Sequence, residues 1–160
     1  MGNRNRPHEE GGLSELARKL WQQNGLTVDE VSSFLRARDI RITDADVQQY
    51  LSVDSSSYKR NLVLETDSVQ LLVLCWKPGQ ASKIHDHGNS NCGIRVLCGN
   101  AHETLYGGTV AEPVELSTRQ HGVGDVTAND GKLIHKVENR SEELLVTLHI
   151  YSPPLIRMNG

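Results

Sequence analysis

Two histidines separated by one residue, His85 and His87, are the most chemically informative feature of the sequence. Side chains two positions apart on a β-strand leave the same face, so we expect both imidazoles to point the same way. Neutral imidazole nitrogens placed in this manner can share one transition metal. The pair therefore predicts part of a metal site, carried by a strand over residues 82–87.

The residues around this pair extend the pattern. Gly79 stands six positions before His85, and Cys92 follows His87 after four residues. Gly99 then comes seven positions after Cys92. This spacing resembles the first sequence motif of the cupins, with Cys92 at the position where most cupins carry a glutamate ligand. Together, the two histidines and the two glycines predict a metal-binding β-barrel.

A third ligand is expected from a later strand, because two histidines leave a transition metal under-coordinated. His135 is the best candidate, since it is followed after three residues by Asn139, as at the end of the second cupin motif. The first half of that motif is degraded here, because Asp130 and Lys132 replace its proline and glycine. Three other histidines show no such pattern, and we expect them to be ordinary surface residues: His8, His102 and His121.

The last strand-like segment, residues 144–151, has alternating polar and apolar positions. Thr147, His149 and Tyr151 share one face of such a strand. Two interpretations remain open. The polar face lies in water, as in an ordinary amphipathic strand, or the three side chains relay hydrogen bonds that fix the tyrosine hydroxyl at a pocket.

Apolar spacing and turn residues predict helices first and strands afterwards. A helix is expected over 13–24, and a second is opened by a capping box from Thr27 to Glu30. Thr43 is expected to cap a short third helix. Strand-like runs then follow at short spacing: 60–65, 69–76, 82–87, 93–97, 102–106, 114–116, 125–127, 134–139 and 144–151. This pattern predicts a mainly β fold, a small cupin-type jelly-roll barrel preceded by about three short helices.

The length of 160 residues suits one domain. We expect residues 1–12 to be flexible, 13–54 to form the helical part, 57–154 the barrel, and 155–160 a short tail. The net charge of −3 and the pI near 6.1 argue against nucleic acid or an anionic membrane as a partner. Three cysteines without a CxxC pair, and no export signal, favour a reduced, cytoplasmic protein, which we expect to be a monomer.

Four segments together resemble the cysteine dioxygenase family of cupin-fold thiol dioxygenases. They are YKRNLV at 58–63, HDHGNSNCGIRVLCG at 85–99, HKVEN at 135–139 and TLHIYSPP at 147–154. The resemblance implies a mononuclear non-haem Fe(II) held by His85, His87 and His135. It implies an enzyme that adds both atoms of O₂ to the sulfur of L-cysteine, giving cysteine sulfinic acid, in the sulfur metabolism that leads to taurine.

The resemblance also assigns roles to the remaining residues. Arg60, helped by Tyr58, would hold the substrate carboxylate, and Trp76 would pack near the pocket. A thioether would join Cys92 to Tyr151 beside the iron. The final strand adds one further site residue, His149, which would orient the tyrosine. Thr147 on the same strand stands where the family usually has serine.

Two other functions stay open. One is a dioxygenase of another small thiol of the 3-mercaptopropionate type, although such relatives typically have glutamine at the position of Arg60. The other is a cupin that is not an oxygenase, either a metal-dependent isomerase or a ligand-binding module. Such cupins commonly keep the glutamate that Cys92 replaces.

Overall fold

The structure of the protein is a computed structural model that describes residues 11–155. Three helices come first: α1 Gly12–Trp21, α2 Val28–Arg36 and α3 Ala45–Gln48. Eight strands follow: β1 Lys59–Glu65, β2 Gln70–Trp76, β3 Asn91–Cys98, β4 Ala101–Gly108, β5 Pro113–His121, β6 Val126–Asn129, β7 Ile134–Glu138 and β8 Leu145–Ser152. The predicted order of helices before a mainly β fold is confirmed. None of the described helices is long and apolar enough to cross a membrane.

The strands form two antiparallel sheets. The larger has the order β1-β2-β8-β3-β6, and the smaller has the order β5-β4-β7. Apolar side chains from both sheets meet in one buried cluster, which contains Leu74 and Trp76 of the larger sheet and Ala101 and Val137 of the smaller one. The sheets therefore face each other, as in the predicted jelly roll.

Strands β2 and β8 are buried along their entire length. Such strands need cover on both faces of the sheet, and the two core clusters supply it. One set of side chains, including Leu71 and Val73, packs with the helices, while Leu72 and Leu74 point into the barrel. Thr147 and His149 of β8 are buried as well. The interpretation of β8 as a strand with its polar side in water is therefore wrong.

Helix α2 is fixed at both ends. The Thr27 hydroxyl accepts from the Glu30 N–H at 3.1 Å and the Glu30 carboxylate accepts from the Thr27 N–H at 2.9 Å, so the predicted capping box is confirmed. At the other end Arg95 of β3 donates to the carbonyls of Leu35 and Arg38. The last carbonyls of a helix lack internal partners, so this arginine joins the helix to the barrel.

The predicted cap of α3 needs correction, and the predictions for the two chain ends fall largely outside the described residues. The N-cap of α3 is Asp44, not Thr43, and its carboxylate accepts from the Arg41 N–H in the preceding turn at 2.9 Å instead of capping a helix N–H. Within the segment expected to be flexible, Gly12 already begins α1, while residues 1–10 lie outside the described part. Of the tail, only Leu155 is described, and its N–H donates to Gln70.

Candidate metal centre

The segment that carries the histidine pair is not the strand predicted over 82–87. Its ladder pairing is limited to two isolated bridges, Ala81 with Glu138 and His85 with His135. Between them, the Ser82 hydroxyl accepts a hydrogen bond from the Val137 N–H at 3.0 Å. In a regular strand that N–H would donate to a backbone carbonyl instead. Serine side chains compete with ladders in this way.

Backbone hydrogen bonds nevertheless hold the three histidines in place. His85 and His135 exchange both of their N–H···O=C bonds, each at 2.9 Å, so the two residues lie directly opposite each other. The His87 N–H donates to the Gly131 carbonyl at 2.8 Å. The three histidines named from the sequence therefore come together, but on a local backbone that differs from the predicted strand.

The three rings form a compact cluster. One nitrogen of each of His85, His87 and His135 lies within 4.8 Å of the others, and the ring centroids are 4.7–5.2 Å apart. Nδ1 of His85 lies 2.6 Å from the Lys83 carbonyl, so its Nε2 is left for another partner. Nε2 of His135 is buried and has no hydrogen-bond partner among the described residues. An unpaired buried nitrogen beside two further imidazoles fits a transition-metal site.

Glu103 of β4 supports this cluster and was missed by the sequence analysis. Its carboxylate accepts from Nδ1 of His135 at 2.6 Å and from Nε2 of His121 at 2.8 Å. A carboxylate on the free nitrogen fixes the orientation and tautomer of a metal-binding histidine. The signal was present, because Glu103 lies between Ala101 and Leu105 on the buried face of β4, where an unpaired charge is rare.

The prediction that the other three histidines are ordinary surface residues fails for His121. It belongs to the Glu103 network, because β4 and β5 pair and bring the two side chains together. His102 is half-buried and its Nε2 has no partner among the described residues. His8 lies outside the described part of the chain.

Burial sets the protonation of the cluster. It lowers the pKa of His85 to about 4, and the nearby His135 adds to this effect. Burial and the charge of His85 lower the pKa of His87 to about 3. Burial alone would raise the pKa of Glu103, but the hydrogen bonds from His121 and His135 outweigh it and lower this pKa to about 2. At neutral pH His85 and His87 are therefore neutral imidazoles, and Glu103 carries a negative charge behind the cluster.

A cavity of about 280 Å³, open to solvent, lies on the inner side of the three histidines. It is bordered by eight of the nine residues proposed from the sequence, and only Cys92 of that set is missing from its lining. The full lining is Tyr58, Arg60, Leu74, Trp76, Ser82, His85, His87, Ile94, His135, Val137, His149 and Tyr151.

An arginine and two stacked aromatic rings form one side of this cavity. The rings of Tyr58 and Trp76 stack with centroids 4.2 Å apart and planes inclined by 19°. The Arg60 guanidinium lies 5.9 Å from the Tyr58 ring centroid, and its Nη2 is 3.5 Å from the Tyr58 hydroxyl. This side therefore presents a cation and a hydroxyl to the same space as the histidines, an arrangement that favours an anionic ligand.

A chain of hydrogen bonds crosses the barrel interior and ends at the Tyr151 hydroxyl. The indole N–H of Trp76 donates to Thr147 Oγ1 at 3.0 Å. Thr147 Oγ1 lies 2.7 Å from His149 Nε2, and His149 Nδ1 lies 2.9 Å from Tyr151 Oη. Because the indole can only donate, the arrangement that uses every group has Thr147 donating to Nε2 and Nδ1–H donating to the tyrosine.

This direction leaves the Tyr151 proton free for a partner in the cavity. Burial lowers the pKa of His149 and raises that of Tyr151, so the imidazole is neutral and the phenol keeps its proton at neutral pH. The interpretation of this row as a hydrogen-bond relay agrees with these distances.

Cys92 lies directly opposite Tyr151 in the pairing of β3 with β8. Its sulfur is 3.2 Å from Asn129 Oδ1 and 3.3 Å from His87 Nδ1. Burial, with a further contribution from Asp130, raises the pKa of this cysteine to about 12, so it is a thiol at neutral pH. Cys92 therefore occupies the glutamate position of the motif without joining the three-histidine cluster. Sequence spacing gave no indication that Tyr151 is its partner across the strands.

Solved structures show the same fold. An uncharacterized conserved protein with a double-stranded β-helix domain from Klebsiella pneumoniae superposes with a TM-score of 0.57 at 21% identity, covering 66% of this chain and 85% of that one. An RmlC-like cupin protein from Desulfovibrio desulfuricans gives 0.54 at 20% identity, covering 66% and 91%. The fold and the three-histidine cluster together define a cupin with a candidate metal centre.

The family is shown by sequence. The family model described as cysteine dioxygenase type I matches residues 6–160. Cysteine dioxygenase type 1 of Homo sapiens is 33% identical over an alignment of 155 positions that covers 93% of this chain and 76% of that protein. The Rattus norvegicus protein of the same name is 32% identical over 157 residues, with the same coverage. The chain belongs to the cysteine dioxygenase type I family, and the resemblance found in the sequence is confirmed.

Proposed function

We propose that the protein is an Fe(II)-dependent cysteine dioxygenase that adds both atoms of O₂ to the sulfur of L-cysteine, giving cysteine sulfinic acid. The observation that carries this proposal is that the three histidines and Arg60 border one cavity. His85, His87 and His135 would hold the iron. A bound Fe(II) would keep the substrate sulfur deprotonated and make O₂ reactive toward it. The predictions of a cytoplasmic monomer without nucleic-acid or membrane partners accompany this proposal.

The charges of the cavity suit a thiolate that also carries a carboxylate. Neutral imidazoles do not cancel the charge of a divalent metal, so an anionic sulfur is favoured beside them. Arg60 adds a second positive centre on the other side of the cavity, with a planar fork that matches a carboxylate. The Tyr58 hydroxyl next to it supplies one more donor. L-Cysteine has both groups on one small skeleton.

Tyr151 would act as a proton donor at the reacting end of the substrate. Its hydroxyl accepts from His149, so its own proton is available to an oxygen of the substrate or product. His149 is a positioning residue in this proposal, because it holds the tyrosine hydroxyl, and Thr147 and Trp76 act on the tyrosine only through His149. Threonine in place of the family's usual serine keeps the hydroxyl that the relay requires.

We also propose that Cys92 and Tyr151 become joined by a thioether. The thiol loses its S–H hydrogen and the tyrosine ring loses one C–H hydrogen, while O₂ takes up the two electrons and two protons. Directly opposed residues of antiparallel strands have side chains on the same face, a few ångströms apart. The bond would therefore form without movement of the backbone.

The thioether can be tested by mass. Iron-loaded protein turned over with cysteine in air should become two hydrogens lighter, and peptide mapping should join the Cys92 and Tyr151 peptides. Cys92→Ala should keep its original mass, whereas Cys98→Ala, a change at a cysteine outside the site, should still lose the hydrogens. Unlinked peptides after complete turnover, together with parental activity of Cys92→Ala, would show that the proposed bond has no part here.

Substrate comparison tests the function itself. Protein reconstituted with Fe(II) under anaerobic conditions should consume O₂ fastest with L-cysteine. It should act more slowly on 3-mercaptopropionate, which lacks the amine, and on cysteamine, which lacks the carboxylate. Preference for 3-mercaptopropionate would assign the chain to the related thiol dioxygenases. Thiol-independent or undetectable O₂ uptake would instead favour a cupin that is not an oxygenase.

A further inference from the structure

A second cavity lies behind the metal centre. It is open to solvent at one end, and its aliphatic lining comes from the facing sheets: Ile94, Val96, Ala101 and Val137. Its outer lining contains Asp125, which is exposed, and Thr127, which is half-buried. The second cavity thus leads from the surface near β6 into the barrel interior.

Two side chains belong to both cavities. Ile94 and Val137 line the second cavity and also the one that contains the three histidines. Val137 follows His135 by two residues on β7, so both side chains point to the same side of that strand. The second cavity is therefore separated from the candidate metal centre by the thickness of aliphatic side chains.

The two carboxylates that border the second cavity, Glu103 and Asp125, already accept hydrogen bonds. Both oxygens of Glu103 accept hydrogen bonds, one from His121 and the other from His135. Asp125, at the solvent side, accepts from the Gly122 N–H at 2.8 Å. A buried water needs two to four polar partners, and apolar cavities without them stay dry and accept apolar guests. The inner part of this cavity therefore suits a small apolar molecule better than water.

We propose that the second cavity is a binding and access site for dioxygen, separate from the entrance used by the thiol. This inference rests on the proposed dioxygenase function. An amino acid held between Arg60 and the histidines would occupy the first cavity, and O₂ would then need another way to the sulfur. The second cavity supplies one, with Ile94 and Val137 as the last side chains to be passed.

Xenon, a known apolar guest of protein cavities, tests the site without any catalysis. Crystals of the iron-loaded full-length protein under xenon pressure should show xenon beside Val96 and Ala101. Thr127→Phe places a large ring at the outer part of the cavity and should remove the xenon. Thr118→Phe is the matched control, because Thr118 is an exposed residue of β5 and does not border the cavity. Ala101→Leu fills the cavity from the opposite sheet and provides a second blocking variant.

Kinetics then test the access route. Thr127→Phe and Ala101→Leu should each lower kcat/KM for O₂ several-fold, while kcat/KM for L-cysteine at saturating O₂ stays at the parental value. Thr118→Phe should match the parent in both constants. Xenon absent from the parent crystals, or an unchanged kcat/KM for O₂ in both folded blocking variants, would overturn the proposal. A parent with no thiol-dependent O₂ uptake would instead overturn the proposed function, and the xenon result would still report whether the cavity binds apolar guests.

Discussion

Glu103 supports the candidate metal centre from outside the cavity that the three histidines border, here called the metal-side cavity. Its carboxylate holds His135 by Nδ1 and is itself held by His121. The negative charge of this buried group is maintained by those two hydrogen bonds. A carboxylate in this position both orients the ring and makes its other nitrogen a better ligand.

Replacing Glu103 should therefore weaken metal binding. Glu103→Gln keeps the size of the side chain but removes its charge and one of its two acceptor atoms, so we expect iron affinity to fall by about 10- to 100-fold. Competition with a chelator of known affinity measures this change. Glu115→Gln, on the exposed strand β5, is the control and should bind iron like the parent, whereas His135→Ala should retain no stoichiometric iron. Parental affinity in Glu103→Gln would mean that the carboxylate does not support the ligand.

Arg60 is the single residue expected to set the preference for a thiol that carries a carboxylate. Loss of a hydrogen bond to a charged group costs about 1.5–3 kcal/mol, or roughly 10- to 100-fold in kcat/KM. We expect Arg60→Gln to lose that much with L-cysteine and less with cysteamine, which has no carboxylate to bind. Steady-state O₂ uptake with both thiols gives the ratio. If L-cysteine is used as well by the variant as by the parent, the carboxylate is held by another group.

Among the elements, helix α2 and strand β3 form the contact that closes the barrel on its helical side. They approach closely at Gly93, where an added Cβ would lie 2.6 Å from Val31 Cγ1 and 3.0 Å from the Thr127 carbonyl oxygen. Cys92 precedes this glycine directly. The close packing of α2 therefore constrains the backbone of β3 beside Cys92.

Gly93→Ala should destabilise the protein by about 1–3 kcal/mol, because a methyl group inserted into a packed contact forces the neighbours apart. Gly107→Ala is a suitable control, since a Cβ there meets only the exposed Leu116 side chain at 3.4 Å. Denaturant unfolding of both variants gives the free energies. Equal stability of Gly93→Ala and the parent would show that α2 moves away at little cost.

The features that the sequence predicts correctly are those that depend on residues close together in the chain. The capping box at Thr27 and the spacing of His85 and His87 depend on neighbouring residues, and the final strand showed its alternation directly. Pairing between distant strands does not appear in such patterns. The sequence therefore predicts a surface position for His121, because only the register of β4 with β5 brings it to Glu103. The bridge between His85 and His135 was equally invisible, so the segment before β3 was mistaken for a regular strand.

For the whole molecule, the two sheets enclose polar groups that no single element could keep buried. The larger sheet supplies Arg60, Trp76 and Tyr151, while His135 and Glu103 come from the smaller one. The helices cover the outer face of the larger sheet, which frees its inner face for the polar relay. A metal-side cavity and an aliphatic cavity then share one barrel, divided by Ile94 and Val137.

Isotope labelling tests the central claim most directly. The iron-loaded protein should be mixed with L-cysteine under ¹⁸O₂ in ordinary water, and the product should be analysed by mass spectrometry. We expect cysteine sulfinic acid in which both sulfinate oxygens carry the label, formed with one O₂ consumed for each cysteine, and no such product from His135→Ala. A product labelled at one oxygen or at neither, or cystine as the main product, would contradict the assignment of this chain as a cysteine dioxygenase.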